Sequence, residues 1–152
     1  MRVVLVEPEI PANTGNISRT CAVTGSELYL IRPLGFSIED RYLKRAGLDY
    51  WHKLKLYVYD SFEELRDEHP GGRYFYFSTR GKRLYTDVRF SRDDFLVFGR
   101  ETGGLPGSLL NGNEEYTLRV PMGEGCRSLN LSNAVALVLY EGLRQQGFPG
   151  LS

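Results

Sequence analysis

One hundred and fifty-two residues, 41% hydrophobic and 25% charged, suit one ordinary globular domain over residues 1–152. No run approaches the roughly 18 apolar residues of a membrane span, the start MRVVLVEP lacks a signal peptide's length and cleavage site, and Cys21 and Cys126 have no CxxC spacing. Net charge is zero, which argues against indiscriminate polyanion binding, and the expectation is a reduced, cytoplasmic protein.

In chain order, Val3–Leu5 reads as a first buried strand. Asn13-Thr14 offers N-cap chemistry to a helix running to Thr24, with Gly25 as its stop. Leu28–Ile31 is a second strand halted by Arg32-Pro33, and Glu39–Ala46 a short helix closed by Gly47. Leu54–Tyr59 is a third strand, and Ser61 with Glu64 spells a capping box opening a helix that ends before Pro70-Gly71-Gly72. Tyr74–Ser78, Phe95–Phe98 and Tyr116–Val120 are further strands. Asn133–Gln146 is the clearest helix, with Ala134, Leu137, Val138 and Leu143 at helical spacing. Strand and helix in alternation predict an α/β fold: a mostly parallel sheet with helices on both faces, whose ligands bind in loops beyond the carboxyl ends of strands.

Three such loops are unusual. The first, Glu7–Thr20, has two prolines and an Asn-Thr-Gly-Asn helix start, with Arg19 further along the helix; Arg19 reads either as an anion contact or as a surface arginine. The second, GRETGGLPG at Gly99–Gly107, has four glycines in nine residues. It matches neither GxGxxG nor GxxxxGK[ST], so it serves either a close backbone–ligand approach or tight-turn scaffolding. The third, Val120–Asn133, gathers Ser128, Asn130, Ser132 and Asn133 before an apolar helix, chemistry that caps helices and bonds a ligand's heteroatoms.

Between Arg73 and Arg92 six cations face the single Asp87, interleaved with Tyr74, Phe75, Tyr76, Phe77, Tyr85 and Phe90. Cations for phosphates and flat rings for unpaired bases suit RNA, and a core strand followed by a solvated loop explains the same residues. His52 and His69 have no carboxylate or cysteine at ligand spacing, so no metal is expected. Without GxSxG or a base beside Cys126, hydrolytic chemistry has no support.

Four ordered segments, EPEIPANTGNISRTCA at Glu7–Ala22, RAGLDYW at Arg45–Trp51, FGRETGGLP at Phe98–Pro106 and RVPM…RSLNLSNAVA at Arg119–Ala136, resemble the SPOUT family of RNA methyltransferases. Within that family they are similar to the small bacterial tRNA (cytidine/uridine) 2'-O-methyltransferases acting at the wobble nucleotide. The resemblance implies a C-terminal trefoil knot, which no periodicity argument foresees. It implies S-adenosyl-L-methionine (AdoMet) as methyl donor, held at the matching positions Phe77, Gly99, Val120, Ser128 and Leu129, with Gly99 leaving room for the nucleoside. It implies an obligate homodimer acting on a tRNA anticodon stem-loop.

Arg19 matches the family's catalytic arginine, and Tyr140 a position near the dimer interface and active site; a core tyrosine is the other reading of Tyr140. Arg80, Lys82 and Asn130 are the expected substrate-binding residues, and Asn130 and Glu101 are also expected to fix the loops by hydrogen bonds. Arg100 and Gly103 depart from the family pattern. Because arginine stays protonated, Arg19 is expected to grip a phosphate or stabilise the developing alkoxide rather than act as a base. Methylation of ribosomal RNA, or a noncatalytic RNA-binding module on the same fold, are the competing readings.

Overall fold

The computed structural model describes residues 1–41, 43, 45 and 48–152. Seven strands form one sheet: β1 (Arg2–Val6), β2 (Glu27–Ile31), β3 (Lys55–Tyr59), β4 (Tyr74–Phe77), β5 (Arg83–Leu84), β6 (Phe95–Phe98) and β7 (Thr117–Arg119). The order is β3-β2-β1-β6-β4-β7-β5, and every pairing is parallel. Among the described residues, α1 (Pro11–Thr24), α2 (Phe62–Glu68), α3 (Gly107–Leu110) and α4 (Leu131–Gln145) are the α-helices whose bounds are fixed.

Alternation along each strand sorts the core into two layers. Val3, Leu5, Leu28, Leu30, Leu96 and Phe98 face Ile17 and Cys21 of α1 and Val135, Val138, Leu139 and Leu143 of α4. Val4, Val6, Tyr29, Ile31, Phe95 and Val97 face Phe62 and Leu65 of α2 and Leu105 and Leu109 around α3. Side chains on a strand alternate between faces, so a sheet covered on both sides needs unbroken apolar runs such as VVLV and FLVF. Burying each such side chain contributes about 1.5–3 kcal/mol. The expected α/β architecture, mostly parallel with helices on both faces, is present.

Several boundaries differ from the sequence reading. α1 begins at Pro11, and its N-cap position, Ile10, makes no side-chain cap; Asn13 and Thr14 lie buried in the first turns. Proline suits the first helical position because its missing N–H had no intrahelical partner to lose. Gly25 ends the helix in the left-handed conformation, φ 65°, as expected. Ser61 accepts the Glu64 amide, but Glu64 reaches back to the Asp60 amide rather than to Ser61. β7 is three residues rather than five, and the two-residue β5 has too little periodicity to be foreseen. α4 starts at Leu131 under an Asn130 cap, and its buried stripe is Val135, Val138, Leu139 and Leu143, leaving Leu137 46% exposed. The helix expected over residues 39–46 lies partly outside the described residues.

Candidate functional site

The sheet brings the ends of β6, β4 and β7 side by side. Phe77 sits level with Phe98 on one side and Leu118 on the other, and the Ser78 amide donates to the Leu118 carbonyl at 2.9 Å. The Phe77 and Phe98 rings stack with centroids 4.6 Å apart inside the core. Val120, half-buried, packs against the same core layer. Three of the five expected AdoMet positions thus come together on adjacent strand ends. Ser128 and Leu129 lie on the exposed segment that follows.

Gly99 requires a correction. A Cβ built there lies 2.0 Å from the Gly104 carbonyl carbon and 2.2 Å from the Leu105 nitrogen. The space is taken by the chain's own return rather than kept for a nucleoside, so tight-turn scaffolding explains this glycine. Gly103 is different: its missing side chain lets Arg100 lie across it, with the Arg100 Nε 3.1 Å from an ideal Cβ, and Arg100 Nη1 pairs with Glu7 at 3.4 Å.

The three loops are joined by one hydrogen-bonded chain. The Glu101 carboxylate accepts from the backbone amides of Glu9 (2.8 Å) and Ile10 (3.0 Å) and from Asn13 Nδ2 (3.2 Å). A carboxylate at the start of α1 meets unpaired amides and the positive end of the helix dipole, so Glu101 supplies the cap that Ile10 lacks. In return the Glu9 carboxylate accepts from the Thr102 amide and hydroxyl. Asn13 Oδ1 accepts from Asn130 Nδ2 at 3.0 Å, while Asn130 Oδ1 accepts from the amides of Ser132 and Asn133 at the start of α4. Both ends of the Asn130 amide are therefore occupied. It fixes the loops, as Glu101 does. Glu9, Asn13 and Thr102 were missed as site residues; sequence spacing offers no signal for bonds between positions some 90 apart.

Arg19 lies on the exposed stripe of α1 with Ala12, Asn16 and Val23. Its guanidinium stands 5.1 Å over the Tyr50 ring, and among the described residues no carboxylate pairs with it. Among the described residues the ring is its one observed partner, a cation–π contact that leaves the guanidinium's charge in place. Tyr140 is 45% exposed, so it is not a core tyrosine. α1 and α4 pack together, and their outer surfaces leave Val23, Leu137 and Tyr140 uncovered.

The basic and aromatic segment separates into parts. Phe75, Tyr76, Phe77 and Phe90 are core, so the rings are packing rather than a base-stacking platform. Arg73 binds Asp94 through two nitrogens, at 2.8 and 2.6 Å, and Arg83 donates to the Glu115 carbonyl. Arg80 and Lys82 remain exposed on the loop after β4. Two surface clefts, of about 380 Å³ beside Glu141 and Arg144 and about 370 Å³ beside His69 and Tyr74, lie away from the strand ends.

A nucleoside sulfonium needs a flat apolar surface and free backbone groups to read the adenine edge. Val120, half-buried just past β7, and Leu129, 40% exposed, supply apolar surface. Among the described residues the one backbone bond over residues 123–129 is from the Cys126 amide to the Gly123 carbonyl, which leaves backbone groups there available. The residues present fit such a ligand. Among the described residues no group of three His, Cys, Asp or Glu side chains is placed to hold a metal ion.

Comparison with known proteins agrees with this geometry. A model of the SpoU rRNA Methylase family matches residues 1–140. A Listeria monocytogenes serotype 4b protein, provisionally named tRNA (cytidine(34)-2'-O)-methyltransferase, is 56% identical over 152 residues, covering 98% of this chain and 90% of its own. A solved structure described as giving insights into the 2-OH methylation of C/U34 on tRNA is 46% identical with a TM-score of 0.92, covering 96% of this chain and 95% of its own. The SpoU methyltransferase AviRb from Streptomyces viridochromogenes, solved with AdoMet, is 25% identical with a TM-score of 0.85, covering 96% of this chain and 57% of its own. With its strand ends, loops and near full-length similarity all in agreement, the chain belongs to the SpoU rRNA methylase family.

Proposed function

We propose that this protein is a tRNA (cytidine(34)/uridine(34)-2'-O)-methyltransferase that moves a methyl group from AdoMet to the ribose 2'-hydroxyl of the wobble nucleotide. One observation carries the reading: the chain is similar, over nearly the whole of both chains, to a structure described for C/U34 methylation on tRNA. AdoMet supplies the electrophilic methyl carbon. Phe77, Gly99, Val120, Ser128 and Leu129 are the residues that would hold it at the ends of β4, β6 and β7 and on the segment that follows.

Arg19 acts on the oxygen. A 2'-hydroxyl is a very weak acid, and an arginine has no proton vacancy with which to deprotonate it. The guanidinium instead stabilises negative charge developing on that oxygen, or grips the adjacent phosphate so that oxygen, methyl carbon and sulfur align. Arg80 and Lys82 hold the anticodon stem-loop by its phosphates.

The same reading includes one domain over residues 1–152 with a C-terminal trefoil knot, supported by β6 and β7 flanking β4 while α4 returns onto α1. It includes a homodimer formed through the uncovered α1–α4 face with Tyr140 beside the shared site, supported by the exposure of Val23, Leu137 and Tyr140. It places the protein in the cytoplasm with its tRNA substrate. Among the described residues no helix is long and apolar enough to cross a membrane.

The deciding experiment is transfer of labelled methyl from AdoMet into tRNA lacking this modification, with the product nucleoside identified by mass spectrometry. A 2'-O-methylated pyrimidine at the wobble position is expected. Incorporation only into ribosomal RNA, or none at all, overturns the assignment. In Arg19→Lys, methylation falls while tRNA affinity holds if charge geometry is what matters; an unchanged rate removes Arg19 from the mechanism.

A further inference from the structure

The loop after β1 and the loop after β6 hold each other from both sides. Glu101 takes the backbone amides of Glu9 and Ile10, and the Glu9 carboxylate takes the amide and hydroxyl of Thr102 at 2.8–3.0 Å. Glu7, just before, has φ 52°, a left-handed conformation costly for a residue with a side chain, and it turns the chain toward this contact. Thr102 is exposed and Glu9 half-exposed. Polar contacts so close to water contribute little to global stability, so the location calls for another explanation.

What the contact controls is the start of α1. Its amino end makes no side-chain cap of its own, and its carboxyl end is held by the Gly25 turn. Arg19 stands six residues from that turn, with the Tyr50 ring as its observed contact, so its position follows the helix axis. At 1.5 Å per residue the lever arm is about 9 Å, and a tilt of about 6° moves Arg19 by about 1 Å. A misplacement of that size can cost about 10²-fold in rate.

We propose that Glu9 and Thr102 are positioning residues for methyl transfer: their clasp aligns α1, and with it Arg19, to the loop that carries Gly99. The proposal rests on the methyltransferase reading above. The experiment compares Thr102→Val, Thr102→Ser and Glu9→Ala in steady-state methylation of tRNA, with thermal melting and amide exchange over residues 9–14. Thr102→Val and Glu9→Ala are expected to lower kcat about 10- to 100-fold with KM for AdoMet and melting temperature nearly unchanged, and to raise amide exchange at the start of α1. Thr102→Ser, which keeps the hydroxyl, is expected to restore kcat. In an Arg19→Lys background Thr102→Val is expected to add little, because both changes act through one group.

An unchanged kcat in an active protein, a rise in AdoMet KM alone, or full additivity with Arg19→Lys overturns the clasp and leaves the methyltransferase reading standing. A wild-type chain that methylates no tRNA overturns both.

Discussion

Asn130, at the cap of α4, donates its Nδ2 to Oδ1 of Asn13 in the first turn of α1 across 3.0 Å, joining two helix starts 117 residues apart. Asn13 in turn donates to Glu101, so one buried amide connects all three loops at the carboxyl ends of the strands. Loop geometry at this site is therefore shared, and a change in one loop reaches the other two.

Asn130→Ala removes the α4 cap and leaves Asn13 Oδ1 unpaired. Urea unfolding is expected to show a loss of about 1–3 kcal/mol. Asn130→Asp keeps an acceptor for the Ser132 and Asn133 amides but has no donor for Asn13, and its stability is expected to fall between wild type and the alanine variant.

Gly99→Ala places a methyl 2.0 Å from the Gly104 backbone, which no side-chain rotation relieves. The expected loss is more than about 3 kcal/mol, measured by thermal or urea unfolding. Gly107→Ala, at the first residue of α3 with nothing within 4 Å of an added Cβ, is expected to stay within about 1 kcal/mol of wild type, on the stabilising side.

Burial pushes the Glu27 carboxyl up, but the Tyr29 hydroxyl and Arg2 outweigh it and hold the group below its ordinary value. A carboxyl whose folded pKa is depressed contributes stability above its unfolded pKa of about 4.3, and that contribution is lost as pH falls through the folded value. Stability followed by chemical denaturation is expected to drop as pH falls below about 5, less steeply in Glu27→Gln.

Arg80→Ala and Lys82→Ala each remove an exposed charge on the loop after β4. Each is expected to weaken tRNA binding and to reduce the slope of log affinity against log salt by roughly 0.7–0.9, with AdoMet binding unchanged. Arg73→Ala is expected to behave differently. It strands the buried Asp94, so the loss appears in folding stability.

Strand positions were legible because two-sided burial leaves apolar runs in the sequence, and β6 was located to the residue. The candidate site was legible in part. The loops around Arg19, Gly99 and Glu101 stood out by composition, while Phe77 and Val120 came only from the family resemblance, and a clash between an added Gly99 side chain and the backbone of Gly104 leaves no trace in spacing. The α4 face was also misassigned: Leu137 fits a helical period and still lies outside the buried stripe. Periodicity identifies an apolar side chain without saying which surface covers it.

By itself the sequence determined an α/β chain with parallel strands, two long helices and three polar, glycine-rich loops, because periodicity and turn chemistry act over a few residues. Only the tertiary structure decided that β4 lies between β6 and β7, that Glu101 caps a helix some 90 residues earlier, and that the rings of the basic segment are core. Those outcomes depend on which distant surfaces meet, and a hydrogen bond such as that between Asn130 and Asn13 exists only once both loops have been brought to the same edge of the sheet.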